Sequence, residues 1–280
     1  MSYSRLIPFF LSLLFFRAVL VDAAHLEGWS RTLGRARARS PTSQCNPFHS
    51  TYSAPEISSS SGGGTPFVAI SPPSSYSVGP DGLQLFLKKP DGTVTTQGGV
   101  NDKIGSGATI NSTFVLLYGK VTFTLSAPVV PGVVTAAILM AEYIDDEIDV
   151  ELLGGSPSHW QSNIFAENPQ DTQPLFGIFG EIEDYSGSGT IAQNHSYTID
   201  WNADRIVWSV DGQVIRTLGK DQTSRNGVLH YPSQPARVQL GIWDASSDVG
   251  TAHWAGGPID WTTAPAKMAA TFTSVTVECT

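Results

Sequence analysis

The sequence predicts an all-β domain folded as a sandwich of two antiparallel sheets, and three observations predict it. The 280 residues include 27 glycines and 18 prolines with only 15% charged residues, a turn-rich composition unlike that of a helical bundle. Short apolar runs recur with turn signals between them, and no run of about ten residues or more keeps a helical apolar period. Neither a repeat of fixed period nor a second domain interrupts the series, so the strands belong to one large core.

In chain order, the first segment reads as an address. Arg5 precedes an apolar run from Leu6 to Val21, broken once by Arg17 and closed by Val21-Asp22-Ala23-Ala24, the pattern of a secretory signal peptide over residues 1–23. The run is short and carries an arginine inside it, which argues against a membrane anchor, and no other stretch is apolar enough to span a bilayer. Residues 24–44 hold Arg31, Arg35, Arg37 and Arg39 against Glu27 with no apolar period, and read as a basic disordered lead or pro-segment. The C-terminal stretch Met268 to Thr280 alternates like a strand and shows no lipid-anchor signal. The expectation is an exported, soluble, monomeric protein whose domain spans residues 45–280.

The whole chain has 16 basic and 25 acidic residues, a net charge of −9. From Cys45 onward the balance is 10 against 23, or −13, so a nucleic-acid partner is not expected. With export accepted, the two cysteines, Cys45 and Cys279, invite a disulfide near the two ends of the domain; a pair of free thiols is the alternative. Closing so long a loop would stabilise by roughly 2–4 kcal/mol. Two sequons, at Asn111 and Asn194, fit a secreted glycoprotein.

Within the domain, Ser58 to Gly64 is a flexible loop, and Leu83 to Lys88 is a strand ended by the turn Pro90-Asp91-Gly92. Thr113 to Leu125 alternates as one long strand, and Val133 to Ala141 is a buried-strand run. Tyr197–Trp201 and Arg205–Val210 form a hairpin around residues 202–204, and Asp211-Gly212 turns the next one. Arg237 to Trp243 and Thr271 to Glu278 alternate again.

The most informative stretch is Asp145 to Leu152. On a strand, Glu147, Asp149 and Glu151 share one face while Ile148, Val150 and Leu152 share the other. A solvated acidic edge that prevents aggregation is the plain alternative. It is weakened by the apolar run just before, which places the strand inside the sheet, and by the scarcity of Lys and Arg to neutralise it. Three aligned carboxylates suit glycoside cleavage, in which one carboxylate attacks the sugar carbon and another protonates the leaving oxygen. Asp149 between them would hold the nucleophile and tune both neighbours. Trp160, Trp201, Trp208, Trp243, Trp254 and Trp261 offer sugar platforms, of which about half are expected to be packing only. Gln161 and Asn163 alternate onto one face, and the loop Trp254 to Trp261 carries two indoles around Gly256-Gly257 where a ligand could approach.

These residues resemble glycoside hydrolase family 16, whose Glu-x-Asp-x-Glu signature is matched by Glu147-Ile148-Asp149-Val150-Glu151. More narrowly, the chain is similar to fungal Crh-type cell-wall transglycosylases. The supporting stretches are Tyr118–Val121, Asp146–Gly155, Gln161–Phe165, Tyr197–Trp201, Trp208–Gly212, Tyr231-Pro232 and Trp254–Gly257, in order across nearly the whole domain. The resemblance implies a β-jelly-roll, lectin-like in its sandwich, with a substrate cleft across the concave face. It assigns Glu147 as nucleophile, Asp149 as its support and Glu151 as acid/base. It places acceptor-sugar contacts on Gln239, Trp243 and Thr251, beside Gln161, Asn163 and Trp254. It also implies chitin and β-glucan as the polysaccharide partners, joined through a glycosyl-enzyme, with no cofactor and no metal. The chain departs from that pattern in the short segment Trp243 to Thr251, which lacks a Gly-Gly after the tryptophan; in Ser53 standing where a second early cysteine would be; and in lacking a Ser/Thr-rich stalk.

The rival readings are a plain β-glucan hydrolase of the same family and a lectin-like binder. The binder would be expected to have lost one carboxylate of the three, and all three are present. The six scattered histidines have no His-Glu-x-x-His spacing, Gly187-Ser188-Gly189 is no nucleophile elbow, and Gly105-Ser106-Gly107 precedes no helix that could present phosphate.

Overall fold

In the computed structural model, residues 45–60, 64–141, 146–166, 168, 171, 175 and 177–279 are described. The signal peptide, the basic lead and Asp145 lie outside them. In chain order the strands are β1 Phe48–Ser50, β2 Ile57–Ser58, β3 Phe67–Ala69, β4 Tyr76–Gly79, β5 Gly82–Lys88, β6 Thr96–Gln97, β7 Val100–Asn101, β8 Ala108–Ser112, β9 Gly119–Ser126 and β10 Val133–Ala141. They continue with β11 Glu147–Leu153, β12 His159–Phe165, β13 Glu181–Asp184, β14 His195–Trp201, β15 Arg205–Val210, β16 Gln213–Gly219, β17 Ser224–Arg225, β18 Val228–Leu229, β19 Ala236–Asp244 and β20 Lys267–Glu278. One short α-helix, α1 Val249–Trp254, follows β19.

Two sheets face each other. The first runs β16-β15-β14-β9-β20-β5-β4 with β1 added onto β20, and the second runs β13-β12-β11-β10-β19-β8-β3-β2. The sequence reading of a two-sheet, jelly-roll sandwich holds. Its pairs are antiparallel except β2 with β3, which run parallel. The sequence reading of one strand from Thr113 to Leu125 does not hold. β8 ends at Ser112 in the second sheet, the chain crosses over, and β9 begins at Gly119 in the first. The break falls at Tyr118 and Gly119, with φ of 66° and 133°. A side chain at Gly119 would meet Cys45 Sγ and the Glu278 carbonyl at 3.1 Å, so glycine is required where the crossing chain passes the disulfide.

The core lies between the sheets, where period-2 alternation puts every second side chain. Ile148, Val150 and Leu152 of β11, with Trp160 of the neighbouring β12, face Tyr197, Trp201 and Trp208 of the opposite sheet, all at most 1% exposed. The polar handles of the large rings are partly used for bridging. Trp201 donates its indole N–H to the Pro232 carbonyl at 3.1 Å, and Trp208 of β15 reaches the opposite sheet to donate to the Asp149 carbonyl at 3.0 Å. At the edge, Arg216 of β16 donates to the Ser162 carbonyl and hydroxyl at 3.0 and 2.8 Å and to the Phe179 carbonyl at 2.6 Å. That guanidinium ties the last strand of one sheet to β12 of the other. Cys45 and Cys279 form a disulfide with Cα atoms 5.6 Å apart, beside the β1–β20 pairing.

Candidate active site

The strand register of the second sheet builds the site. β11 pairs with β10 on one side and β12 on the other, so it is an interior strand rather than a solvated edge. Its apolar residues turn into the core, and Glu147, Asp149 and Glu151 therefore stand on the outer face of that sheet. Successive pairings carry each carboxylate into a row of side chains across the sheet. Glu147 lies in line with Met140 and Arg237, and Asp149 with Asn163, Ile138, Gln239 and Asn111. Glu151 lies in line with Gln161, Ala136 and Gly241.

Although on the outer face, the three acids are buried, with 6%, 1% and 5% of Glu147, Asp149 and Glu151 exposed. Burial disfavours the ionised form of a carboxyl, and a like charge close by opposes it further. Asp149 is held well above the usual carboxylate range, first by burial, then by the charges of Glu147 and Glu151 and by side-chain contact with Glu147, which favours the protonated form of Asp149. Glu151 is pushed up to about 8 by burial and by the charge of Glu147. The three side chains share one patch of the outer face, where Glu147 acts on both partners. A carboxyl that keeps its proton at neutral pH beside an acidic neighbour is what general acid chemistry needs.

One wall of the site is aromatic. Trp243 of β19 and Trp254 of α1 stack with centroids 6.1 Å apart, and Trp254 donates its indole N–H to the Gln161 side-chain oxygen at 2.9 Å. Gln161 is the cross-strand neighbour of Glu151, so this chain of contacts runs from β19 over to the acid. Beneath it sits a small apolar cluster of Val134, Leu153, Ala245 and Ala255 on the outer face of the sheet. α1 is held by Asp248, which accepts hydrogen bonds from the Gly250 and Thr251 backbone amides. Its C-terminal end is fixed by glycines. A side chain at Gly155 would meet the Ala255 carbonyl at 2.4 Å, and one at Gly257 would meet the Gly132 Cα at 2.6 Å.

The structure brings most of the sequence-chosen residues together and relocates some. Gln161, Asn163, Gln239, Trp243 and Trp254 share the outer face with the acids. Thr251 does not: it is fully buried in the first turn of α1, where it meets Asp248, so it is a packing residue rather than a sugar contact. Trp261 is also a correction, because its ring is buried in the main core, as are those of Trp160, Trp201 and Trp208. Gly256-Gly257 bring backbone against Gly155 and Gly132 rather than against a ligand. Sequence reasoning passed over Arg237, which stands two residues before Gln239 on the same face and in the row of Glu147. The alternation of β19 was the signal that contained it. Of the two sequons, Asn194 is exposed at the start of β14, whereas Asn111 is half-buried inside β8. Among the described residues no cluster of His, Cys, Asp or Glu is arranged to hold a metal ion.

Comparison with known proteins gives a consistent likeness. The family model for glycosyl hydrolases family 16 matches residues 69–272. Crh-like protein 2 of Aspergillus fumigatus is 38% identical over 182 residues, covering 62% of this chain and 40% of that protein. Crh-like protein CRH11 of Candida albicans is 32% identical over 253 residues, covering 85% of this chain and 49% of that protein. The chain thus spans about half or less of the length of these relatives. Among solved structures, Crh5 transglycosylase in complex with NAG superposes with a TM-score of 0.65 at 26% identity, covering 86% of this chain and 88% of that one. The laminarinase catalytic domain from Thermotoga maritima shares the fold, with a TM-score of 0.59 at 18% identity over 75% of this chain and 82% of its own.

Proposed function

The chain belongs to glycosyl hydrolases family 16, among its Crh-type members, and we propose that it is a secreted retaining transglycosylase of cell-wall polysaccharide. Residues 45–280 form its catalytic domain, behind a signal peptide at 1–23 and a basic lead at 24–44. Chitin and β-glucan are the proposed polysaccharides, and the wall or the medium outside the cell is its place of work.

One observation carries the reading: three buried carboxyls on adjacent alternate positions, of which Glu151 keeps its proton near neutrality because of burial and Glu147. In the proposed first half-reaction the Glu147 carboxylate attacks the anomeric carbon, and the bond to the leaving oxygen breaks as Glu151 gives that oxygen its proton. The product is a glycosyl ester on Glu147 and an ionised Glu151. In the second, Glu151 takes the proton of an incoming hydroxyl, whose oxygen displaces Glu147 and restores both acids. Asp149 supports Glu147 by side-chain contact and, by keeping its own proton, limits the charge gathered on the strand. The stacked Trp243 and Trp254 offer an apolar face beside Glu151 on which an acceptor sugar can sit in place of water. That wall favours transfer over plain hydrolysis, the second reading.

The test is product analysis by mass spectrometry, with chitin or laminarin-type oligosaccharides as donors and a fluorescent sugar as acceptor. Longer labelled products are expected. Shortened, unlabelled products alone would make the protein a hydrolase, and bound but unchanged sugar would make it a binder. Glu147→Gln and Glu151→Gln should each lose turnover by about a thousandfold or more while still binding oligosaccharide, and Asp149→Asn should be impaired rather than inactive. Ordinary activity in both glutamine variants would end the assignment.

A further inference from the structure

We propose that Asn111 is a sugar-contacting residue on the floor of the cleft and stays unglycosylated in the active protein, while Asn194 carries the N-linked glycan. The proposal rests on the polysaccharide and secretion readings above and adds a residue role that they do not contain. Register supplies the placement. Asn163, Asp149, Ile138, Gln239 and Asn111 form one line across five paired strands on the outer face. At about 4.8 Å per strand, Asn111 stands roughly 14 Å from Asp149, a span suited to a short run of linked sugar rings.

The chemistry of that line points to a ligand. Gln239 is 7% exposed and its side-chain N–H2 has no partner in the protein; Asn163 is 8% exposed and its Oδ1 has none. Asn111 Oδ1 is buried without a partner as well. Buried amides normally find hydrogen-bonding partners, so a row whose amides leave a donor and two acceptors unanswered, beside the unpartnered Asp149 carboxyl, is matched to groups that arrive from outside. Sugar hydroxyls, each able to donate and accept, answer all three.

The same placement makes Asn111 a poor glycan carrier. Glycosylated asparagines belong to surface loops, whereas Asn111 sits in mid-strand between Gln239 of β19 and Val68 of β3. Ser112 beside it is fully buried, with its hydroxyl donating to the Phe114 carbonyl and accepting from the Val238 amide. A glycan there would lie along the line that a substrate chain needs. Asn194 is exposed and immediately precedes β14 of the opposite sheet, and its side-chain amide donates to the Thr273 hydroxyl at 3.3 Å.

The experiment has two arms, both on the full chain secreted from a eukaryotic host. Site occupancy is mapped by enzymatic deglycosylation in heavy-oxygen water followed by peptide mass spectrometry. Label is expected at Asn194 and not at Asn111; label at Asn111 in the active fraction would overturn the proposal. In the second arm, oligosaccharide binding is measured by calorimetry in the Glu147→Gln background. Asn111→Ala should weaken binding about five- to tenfold, the worth of one neutral hydrogen bond. Thr113→Val removes the sequon but keeps the amide, and should bind as its parent does. Equal binding by the Asn111→Ala protein would refute the sugar contact. Binding of neither chitin nor laminarin-type oligosaccharide by the parent would bring down the substrate reading and the contact together, while leaving the occupancy map to stand on its own.

Discussion

Replacing Glu151 by Gln should make the protein more stable, and increasingly so as pH rises. Glu151 is raised from an ordinary 4.5 to about 8 in the folded chain. Between those values the folded state binds a proton that the unfolded state has released, so stability falls with rising pH. The contribution of the protonated group is whole below the unfolded value and is lost progressively up to about pH 8. Each pH unit in that window costs about 1.4 kcal/mol, so at pH 7 the wild type has given up roughly 3 kcal/mol relative to a residue that never ionises. Glutamine is such a residue, with nearly the same shape. For a domain of this size, 3 kcal/mol corresponds to a rise of about 6–12 °C in melting temperature. Thermal unfolding followed by circular dichroism at pH 4, 5, 6, 7 and 8 tests this on both proteins. The two melting curves should coincide near pH 4 and separate steadily toward pH 8. Parallel pH dependences, or a gap that widens toward acid, would refute a burdened acid at this position.

Three other outcomes follow from the same structure. Reducing the Cys45–Cys279 bond, or replacing both cysteines by serine, should cost roughly 2–4 kcal/mol in denaturant titrations, because it releases a loop with a sequence separation of 234 residues. Gly155→Ala should destabilise by about 1–3 kcal/mol and lower turnover, since its new methyl would meet the Ala255 carbonyl at 2.4 Å and displace the segment that carries Trp254; unchanged stability and kinetics would refute the close-packed anchoring of α1. Trp254→Phe keeps a ring against Trp243 but removes the hydrogen bond to Gln161, so KM for the acceptor should rise about fivefold while the melting temperature stays nearly constant.

The parts of the molecule that could be read from sequence are those whose signal is local. β10, β11, β14, β15 and β19 were legible because alternation or apolar runs mark them directly, and the pairing of two lone cysteines needed no geometry. The acids were legible for the same reason: three carboxylates at every second position of a strand can face only one way. Alternation does not record a change of sheet, which is why the stretch from Thr113 to Leu125 reads as one strand although the chain turns at Tyr118 and Gly119. A glycine or tryptophan that packs against protein also looks the same in sequence as one that awaits a ligand. Trp261 and Gly256-Gly257 show it, since they pack against protein. Arg237 and Asn111 entered the site only through register, a relation between β19, β10 and β8 that no single strand carries.

The bond that joins the two ends of the domain also changes what a protease can do to it. From Cys45 to Cys279 the described chain is topologically a ring, with β1 laid against β20 at the clasp. A single cut in an exposed turn, such as that of Asn226 and Gly227, would open the ring without dividing it. The nicked protein would remain one covalent particle, run as one band on a non-reducing gel, and part into two pieces only when a reductant is added. If the chain is secreted as proposed, the first cut is survivable, and damage is sealed in rather than shed.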